Sequence, residues 1–143
     1  MPPIFSPFIR RAGGFTLLEL RVVMVIIGML AGFVAPKFFA QIGKSEVKTA
    51  RAQIDSLEKA LDQYRLDLGH YPTTAQGLTA LNERPAGEAK WAGPYVKKAV
   101  PLHPWSRPYI YKFPGDHGDY DLFSYAKDRQ AGGSGEAEDI VSW

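Results

Sequence analysis

The segment Phe15–Ala35 reads FTLLELRVVMVIIGMLAGFVA and is apolar at nearly every position. As an α-helix rising about 1.5 Å per residue, it reaches about 30 Å, which is the thickness of a bilayer core. A cleaved secretory signal has a shorter apolar region of about 7–15 residues, followed by a small-residue cleavage site. Here the small residues Gly13 and Gly14 come before the apolar run. The segment therefore predicts a membrane helix that the protein retains.

The residues in front of this segment predict its orientation. Residues 1–14 are short and basic, and Arg10 and Arg11 lie just before the apolar run. Positive charges favour the cytoplasmic side of a membrane. The N-terminal end of the helix is therefore expected in the cytoplasm, and the rest of the chain on the opposite side.

A second helical pattern covers residues 37–68, and Pro36 is expected to kink or interrupt the helix before it. Its apolar residues recur at steps of three and four, which predicts one continuous stripe on a helix. The stripe comprises Val47, Ala50, Ile54, Leu57, Leu61, Tyr64 and Leu68. It can pack against its own domain or form a seam with neighbouring subunits. Gly69 is a natural C-cap for the helix.

The remaining residues predict short elements separated by turns. Thr74 is expected to cap a short helix that ends near Leu81. Residues 109–113 and 120–125 alternate like strands, and Pro114–Gly118 between them predicts a hairpin turn. Residues 126–143 form a Gly-rich acidic loop. The predicted fold class is α+β: a long N-terminal helix, with a membrane half and an amphipathic half, packed on a small antiparallel sheet with a C-terminal loop.

The composition excludes several classes of function. The chain has no cysteine, so disulfides, thiolate nucleophiles and Cys-based metal sites are ruled out. Its 17 basic and 15 acidic residues give a net charge of +2, which makes no case for nucleic acid as a partner. No hydrolase, zincin or P-loop motif is present. His70, His103 and His117 are scattered and expected at the surface, so the sequence predicts no enzyme.

The hexapeptide Gly14-Phe15-Thr16-Leu17-Leu18-Glu19 resembles the processing motif of type IV pilins and pseudopilins. In that family a prepilin peptidase cuts between the Gly and the Phe, and the new N-terminal residue is methylated. The resemblance implies that Gly14 and Phe15 are the processing residues. It implies a cleaved leader at 1–14, a transmembrane and polymerisation helix at 15–35, and a periplasmic domain at 36–143. The protein would then be a single-pass protein of the bacterial inner membrane.

A narrower resemblance, to the major pseudopilins of type II secretion, comes from four later segments. Tyr71–Leu81, YPTTAQGLTAL, resembles the YPTT-x-QGL-x-AL segment of that family. Residues 104–109 resemble its DPWG-x-PY segment, residues 121–124 its D-[IV]-F-S strand, and residues 139–143 its closing D-I-x-x-W. The resemblance spans residues 10–143.

This resemblance implies a structural subunit that polymerises with its own copies into a helical periplasmic filament, whose growth drives folded proteins across the outer membrane. The implied partners are other pseudopilins, the prepilin peptidase, the inner-membrane assembly platform and, before assembly, the lipid bilayer.

Glu19 is a carboxylate inside an apolar run, where a charge is costly and therefore rarely accidental. In the family, the acid at this position is thought to pair with the N-terminal ammonium of a neighbouring subunit. The resemblance thus assigns Glu19 to assembly. The alternative is local pairing with Arg21, although residues two apart do not face each other on a helix. Arg21 departs from the family, which usually has an apolar residue there.

The C-terminal loop is the expected metal site, because the family's major pseudopilins bind one calcium there. Calcium takes six to eight oxygen ligands, which an acidic loop can supply. The family pattern L-G-x-D-G corresponds here to residues 125–129, in which Ala126 and Arg129 replace the two glycines. Likewise His103 stands where the family has Asp, and Ser106 where it has Gly. The candidate ligands are the carbonyl of Tyr125 and the carboxylates of Asp128, Glu136, Glu138 and Asp139.

Two other interpretations remain open from the sequence. The chain can be a different pilin-like subunit, namely a minor pseudopilin, a competence pilin or a type IV pilus subunit, although true pilins usually carry a C-terminal cysteine pair. It can also be a single-pass periplasmic enzyme or sensor with an uncleaved anchor.

Overall fold

The computed structural model describes residues 14–143, so most of the expected leader lies outside the described residues. Helix α1 spans Leu17–Leu68. Strand β1 spans Ile110–Lys112, β2 spans Asp121–Ser124 and β3 spans Ile140–Val141. Short 3₁₀ helices occupy Leu78–Leu81 and Gly135–Ala137. The chain divides into two compact units, Met1–Phe39 and Ala40–Trp143.

Helix α1 is one continuous helix of 52 residues, and Pro36 lies inside it. Of the predicted kink or interruption at Pro36, the interruption is therefore wrong. A proline removes one backbone hydrogen bond, here the bond to the carbonyl of Gly32. The remaining residues of α1 continue the helix past this position.

The stripe on the second half of α1 forms the core of the unit Ala40–Trp143, as one of the two sequence interpretations predicted. Its central residues are between 0 and 3% exposed: Ala50, Ile54, Leu57, Leu61 and Tyr64. Val47 and Leu68, at its two ends, are partly buried against the same core. The sheet contributes Leu122 and Ile140 to this core. The stripe therefore packs against its own domain.

The end of α1 is closed by Gly69, as the sequence indicated. Gly69 has φ +85°, and its N–H donates to the carbonyl of Arg65 at 2.7 Å. This left-handed conformation is the one that glycine adopts without steric cost at helix C-termini.

Thr74 does not cap a helix, contrary to the sequence prediction. Its hydroxyl accepts the N–H of Phe113 and donates to the carbonyl of Phe113, both at 2.9 Å. The turn is closed instead by Thr73 and Gln76, since each backbone N–H donates to the other's side chain. Phe113 directly follows the edge strand β1. Its backbone N–H and carbonyl form hydrogen bonds with the Thr74 hydroxyl. This contact joins the YPTT segment to the sheet.

The sheet is antiparallel with the order β1-β2-β3. Tyr111 pairs with Leu122, and Phe123 pairs with Val141. The two predicted strands and the hairpin between them are confirmed. The buried carboxylate of Asp121 accepts the N–H groups of Asp116 and His117 at 2.9 and 3.1 Å, which fixes the hairpin turn.

Strand β3 lies within the segment that the sequence indicated as loop. Its two residues are too short a run to show a strand period.

Among residues 14–143, three residues other than glycine have positive φ values: Ser106 at 62°, Ala126 at 46° and Arg129 at 65°. Each stands where the resemblance described above leads one to expect glycine. A side chain in this left-handed region costs about 1–2 kcal/mol because its Cβ crowds the following carbonyl. Glycine would adopt the same conformation without this cost.

We predict that Leu61→Ala lowers the free energy of unfolding by about 2–4 kcal/mol, because it opens a cavity in the core. Leu66→Ala on the same helix is the matched control, since Leu66 is 78% exposed and Leu61 is 0% exposed. All core residues lie in Ala40–Trp143, so urea unfolding of a fragment spanning residues 40–143 measures both. Equal effects of the two substitutions would contradict the assigned core.

We predict that Ser106→Gly raises the free energy of unfolding of the same fragment by about 1 kcal/mol, because glycine relieves the positive φ. The matched control is Ser56→Gly at an exposed position inside α1, where glycine is expected to lower it by about 0.5 kcal/mol. A loss of stability with Ser106→Gly would show that the turn does not hold this conformation in solution.

Candidate functional site

The first half of α1 presents a long apolar surface. The large apolar side chains of Phe15–Phe39 are between 45 and 88% exposed. Among residues 14–143, α1 is the helix long and apolar enough to cross a membrane, with a mean hydropathy of 2.3 in its most apolar window. Burying one large apolar side chain contributes about 1.5–3 kcal/mol. Such a surface requires a cover that residues 14–39 do not themselves supply.

Glu19 closes the start of this helix through a reciprocal contact with Thr16. Its Oε2 accepts the backbone N–H of Thr16 at 2.8 Å and the Thr16 hydroxyl at 3.0 Å. The backbone N–H of Glu19 donates to the Thr16 hydroxyl at 3.2 Å. This is a capping box, which satisfies helix N–H groups that lack partners within the helix. The sequence signal for the role of Thr16 is the Thr-x-x-Glu spacing before an apolar run.

Gly14 and Arg21 show no local role in the described chain. No ion pair joins Glu19 and Arg21 among the described residues, so the expected alternative of local pairing is not seen there. A Cβ added to Gly14 would meet no atom within 4 Å. The chain's own packing therefore does not require glycine at this position.

In the C-terminal loop, Asp139 is the candidate ligand with unused capacity. Its Oδ2 accepts the N–H of Gly132 at 2.7 Å, whereas its Oδ1 is buried and has no hydrogen-bond partner. Asp128 Oδ1 accepts the N–H of Gln130 at 3.2 Å, and the carbonyl of Tyr125 accepts the N–H of Arg129 at 3.2 Å. Buried polar atoms are seldom without a hydrogen-bond partner. The unpaired Oδ1 of Asp139 is therefore unusual and is free to bind a ligand.

Cationic side chains hold the two loop glutamates. Glu136 lies 3.8 Å from Lys127, and Glu138 lies 3.5 Å from Arg51. Both pairs are solvent-exposed, and such pairs contribute at most about 1 kcal/mol. Within residues 14–143, no group of three His, Asp or Glu side chains is gathered closely enough to hold a metal ion. The predicted ligands therefore share one loop, in which two of them are engaged by cations.

His103 is buried, contrary to the expectation of a surface histidine. It is 5% exposed, and its ring lies 5.5 Å from that of Trp105 and 5.7 Å from that of Tyr109. Burial, together with the charge of Arg107, lowers the pKa of His103. Trp105 and Tyr109 pack against the ring. This packing could not be predicted from the sequence, in which His103 has no other histidine or carboxylate at a regular spacing.

His117 remains half-exposed and lies against the closing residue. Its ring stacks on Trp143 with centroids 4.0 Å apart, and its Nδ1 lies 3.1 Å from Asp121 Oδ2. Asp121 is already engaged by two backbone N–H groups of the hairpin turn. This arrangement fastens the end of the chain to the hairpin.

Two family models match the chain over adjacent ranges. A model described as "Type II secretion system (T2SS), protein G" matches residues 37–143. A second, described as "Prokaryotic N-terminal methylation motif", matches residues 9–35. Together they cover the membrane segment and the globular unit.

Curated relatives match over nearly their whole length. A type II secretion system core protein G of Vibrio cholerae is 44% identical over 137 residues, which are 94% of this chain and 93% of the relative. The protein of the same description from Pseudomonas aeruginosa is 40% identical and covers 94% and 96% of the two chains. The one from Escherichia coli K12 is 44% identical and covers 91% and 90%.

A solved structure confirms the fold. The crystal structure of the major pseudopilin from the type 2 secretion system of enterohaemorrhagic E. coli matches with a TM-score of 0.60 and 31% identity. The match covers 73% of this chain and 92% of that chain. Members of this family are structural proteins, so the interpretation as a periplasmic enzyme or sensor is excluded. The chain belongs to the type II secretion system protein G family, the major pseudopilins of the secretion pseudopilus.

Proposed function

We propose that the chain is cut by a prepilin peptidase between Gly14 and Phe15, methylated at Phe15, and held in the inner membrane with its N-terminus in the cytoplasm. It then polymerises on the inner-membrane assembly platform into a helical periplasmic filament with its own copies and other pseudopilins. Growth of this filament drives folded proteins across the outer membrane. The observation that carries the proposal is the exposed apolar surface of Phe15–Phe39.

The apolar surface supports two successive covers. A helix of this length and hydropathy suits a lipid bilayer before assembly. Within a filament, neighbouring helices would replace the lipid. Lipid tails and apolar side chains are similarly apolar, so a helix can exchange lipid contacts for helix contacts without a hydrophobic penalty.

Gly14 supports the processing step. A Cβ added at Gly14 would meet no atom within 4 Å. The packing of the described residues therefore does not require glycine at this position. A peptidase that must grip the backbone at the scissile bond would supply such a requirement.

Glu19 supports an exchange of partners on assembly. Before the cut, its carboxylate is engaged by Thr16, the second residue after the scissile bond. The cut creates an ammonium group at Phe15, and an ammonium of a neighbouring subunit would neutralise the Glu19 charge. A charge in an apolar environment is stabilised only when it is paired. Glu19 would thereby set the register between subunits.

The proposed role of Glu19 can be separated from its capping role. Glutamine at this position also completes a capping box, so Glu19→Gln keeps the helix start and removes the charge. We expect its filament yield in secreting cells to fall by about tenfold or more, because charge-assisted hydrogen bonds contribute about 1.5–3 kcal/mol. Quantitative immunoblotting of sheared filaments measures this yield.

Two controls accompany this experiment. Glu83→Gln removes an exposed carboxylate of the globular unit and should leave the yield unchanged. Thr16→Val breaks the capping box while keeping the carboxylate, and it should assemble better than Glu19→Gln. Normal filaments with Glu19→Gln would show that capping, and not charge, is the function of Glu19.

We further propose that the C-terminal loop binds one calcium ion through the carboxylates of Asp128 and Asp139 and the carbonyl of Tyr125. The donor chemistry fits, because Asp139 Oδ1 is a buried oxygen without a partner and calcium prefers oxygen ligands. Glu136 and Glu138 would join only after leaving Lys127 and Arg51. The ion would supply the positive charge that orders the loop.

Calcium removal tests this second proposal. We expect a chelator to lower the melting temperature of the 40–143 fragment by several degrees, since a ligand at about 100 times its Kd adds about 2.7 kcal/mol. Asp139→Asn should abolish the response, whereas Asp55→Asn on the exposed face of α1 should keep it. A melting temperature that stays constant with chelator and with added calcium would refute the site.

A further inference from the structure

A cavity of about 400 Å³ lies beside the C-terminal loop and shares one residue, Tyr125, with the proposed calcium site. Its wall includes His103 and Arg107 from one turn and Arg129 from the loop. The turn is closed by hydrogen bonds of 2.8 Å, from His103 N–H to the carbonyl of Arg107 and from Ser106 N–H to that of His103. The cationic wall is therefore anchored to rigid backbone.

The cavity carries positive charge without a counter-ion. Neither Arg107 nor Arg129 forms an ion pair with any carboxylate of residues 14–143. Two guanidinium groups on one cavity repel each other, and an anion between them would relieve that repulsion. A guanidinium presents a planar fork of N–H donors that matches a carboxylate.

His103 adds an unused polar group to the same wall. The residue is buried, and its Nδ1 has no hydrogen-bond partner. Burial and the charge of Arg107 lower its pKa, which favours the neutral imidazole, with one donor and one acceptor nitrogen. A buried group of this kind is costly unless a partner reaches it.

Pro108, Ile110 and Ala126 give the rest of the wall an apolar part, and Ser124 and Tyr125 complete it. We infer that this cavity binds an organic carboxylate, with the carboxyl group between Arg107 and Arg129 and an apolar body against Pro108 and Ile110. A free inorganic anion would leave the apolar wall uncovered. The inference does not rest on the filament proposal.

Isothermal titration of the 40–143 fragment with benzoate tests the inference, with calcium held constant. We expect saturable binding of one benzoate, and about tenfold or greater weakening by Arg107→Gln and by Arg129→Gly, since each removes a charged hydrogen-bond donor. Arg129→Gly also suits the positive φ of that position, so loss of binding would not reflect loss of folding. His103→Asp should abolish binding by placing a carboxylate beside Arg107.

The control variant is Arg84→Gln, which removes an exposed guanidinium away from the cavity and should bind benzoate normally. Benzyl alcohol, which lacks the charge, and sulfate, which lacks the apolar body, should both bind at least about tenfold more weakly than benzoate. Equal binding of sulfate, equal binding of benzyl alcohol, or benzoate binding that survives both arginine substitutions would each overturn the inference.

Discussion

The apolar surface of Phe15–Phe39 is the constraint on which the rest of the protein depends. Its large side chains are exposed in the single chain, and water is an unfavourable environment for them. A bilayer and a bundle of copies are the two covers that suit a helix. The proposed function uses both covers in turn, the bilayer before assembly and the neighbouring subunits within the filament.

The globular unit covers the apolar residues of the second half of α1. After Phe39 these residues lie on one face of the helix, and the sheet and the YPTT segment pack against that face. The Thr74 hydroxyl bonds both backbone groups of Phe113, and the Asp121 carboxylate fixes the hairpin that follows. The unit Ala40–Trp143 therefore has its own core, so that the apolar half of α1 can exchange partners without unfolding it.

Much of this architecture follows from periodicity. The stripe from Ala50 to Tyr64, the hairpin and the C-cap Gly69 could be predicted, because each rests on local pattern. The pairing of Thr74 with Phe113 and the burial of His103 depend on contacts that spacing does not encode, and the continuity of α1 through Pro36 runs against the usual helix-breaking effect of proline. The candidate sites differ in the same respect. Glu19 can be singled out from the sequence, because it is a charge in an apolar run. The ion pairs of Glu136 and Glu138 cannot, because they form only in the folded chain. The positive φ values of Ser106 in its turn and of Ala126 and Arg129 in the C-terminal loop are likewise evident only from the backbone.

If the apolar helix begins the mature filament subunit, the residues before Phe15 must be absent from the mature protein. Intact-mass and N-terminal analysis of the membrane-extracted protein, from cells with an active prepilin peptidase, measures this. We expect a mature chain that starts at Phe15 and carries one N-terminal methyl group. A chain that retains Met1 in those cells would contradict it.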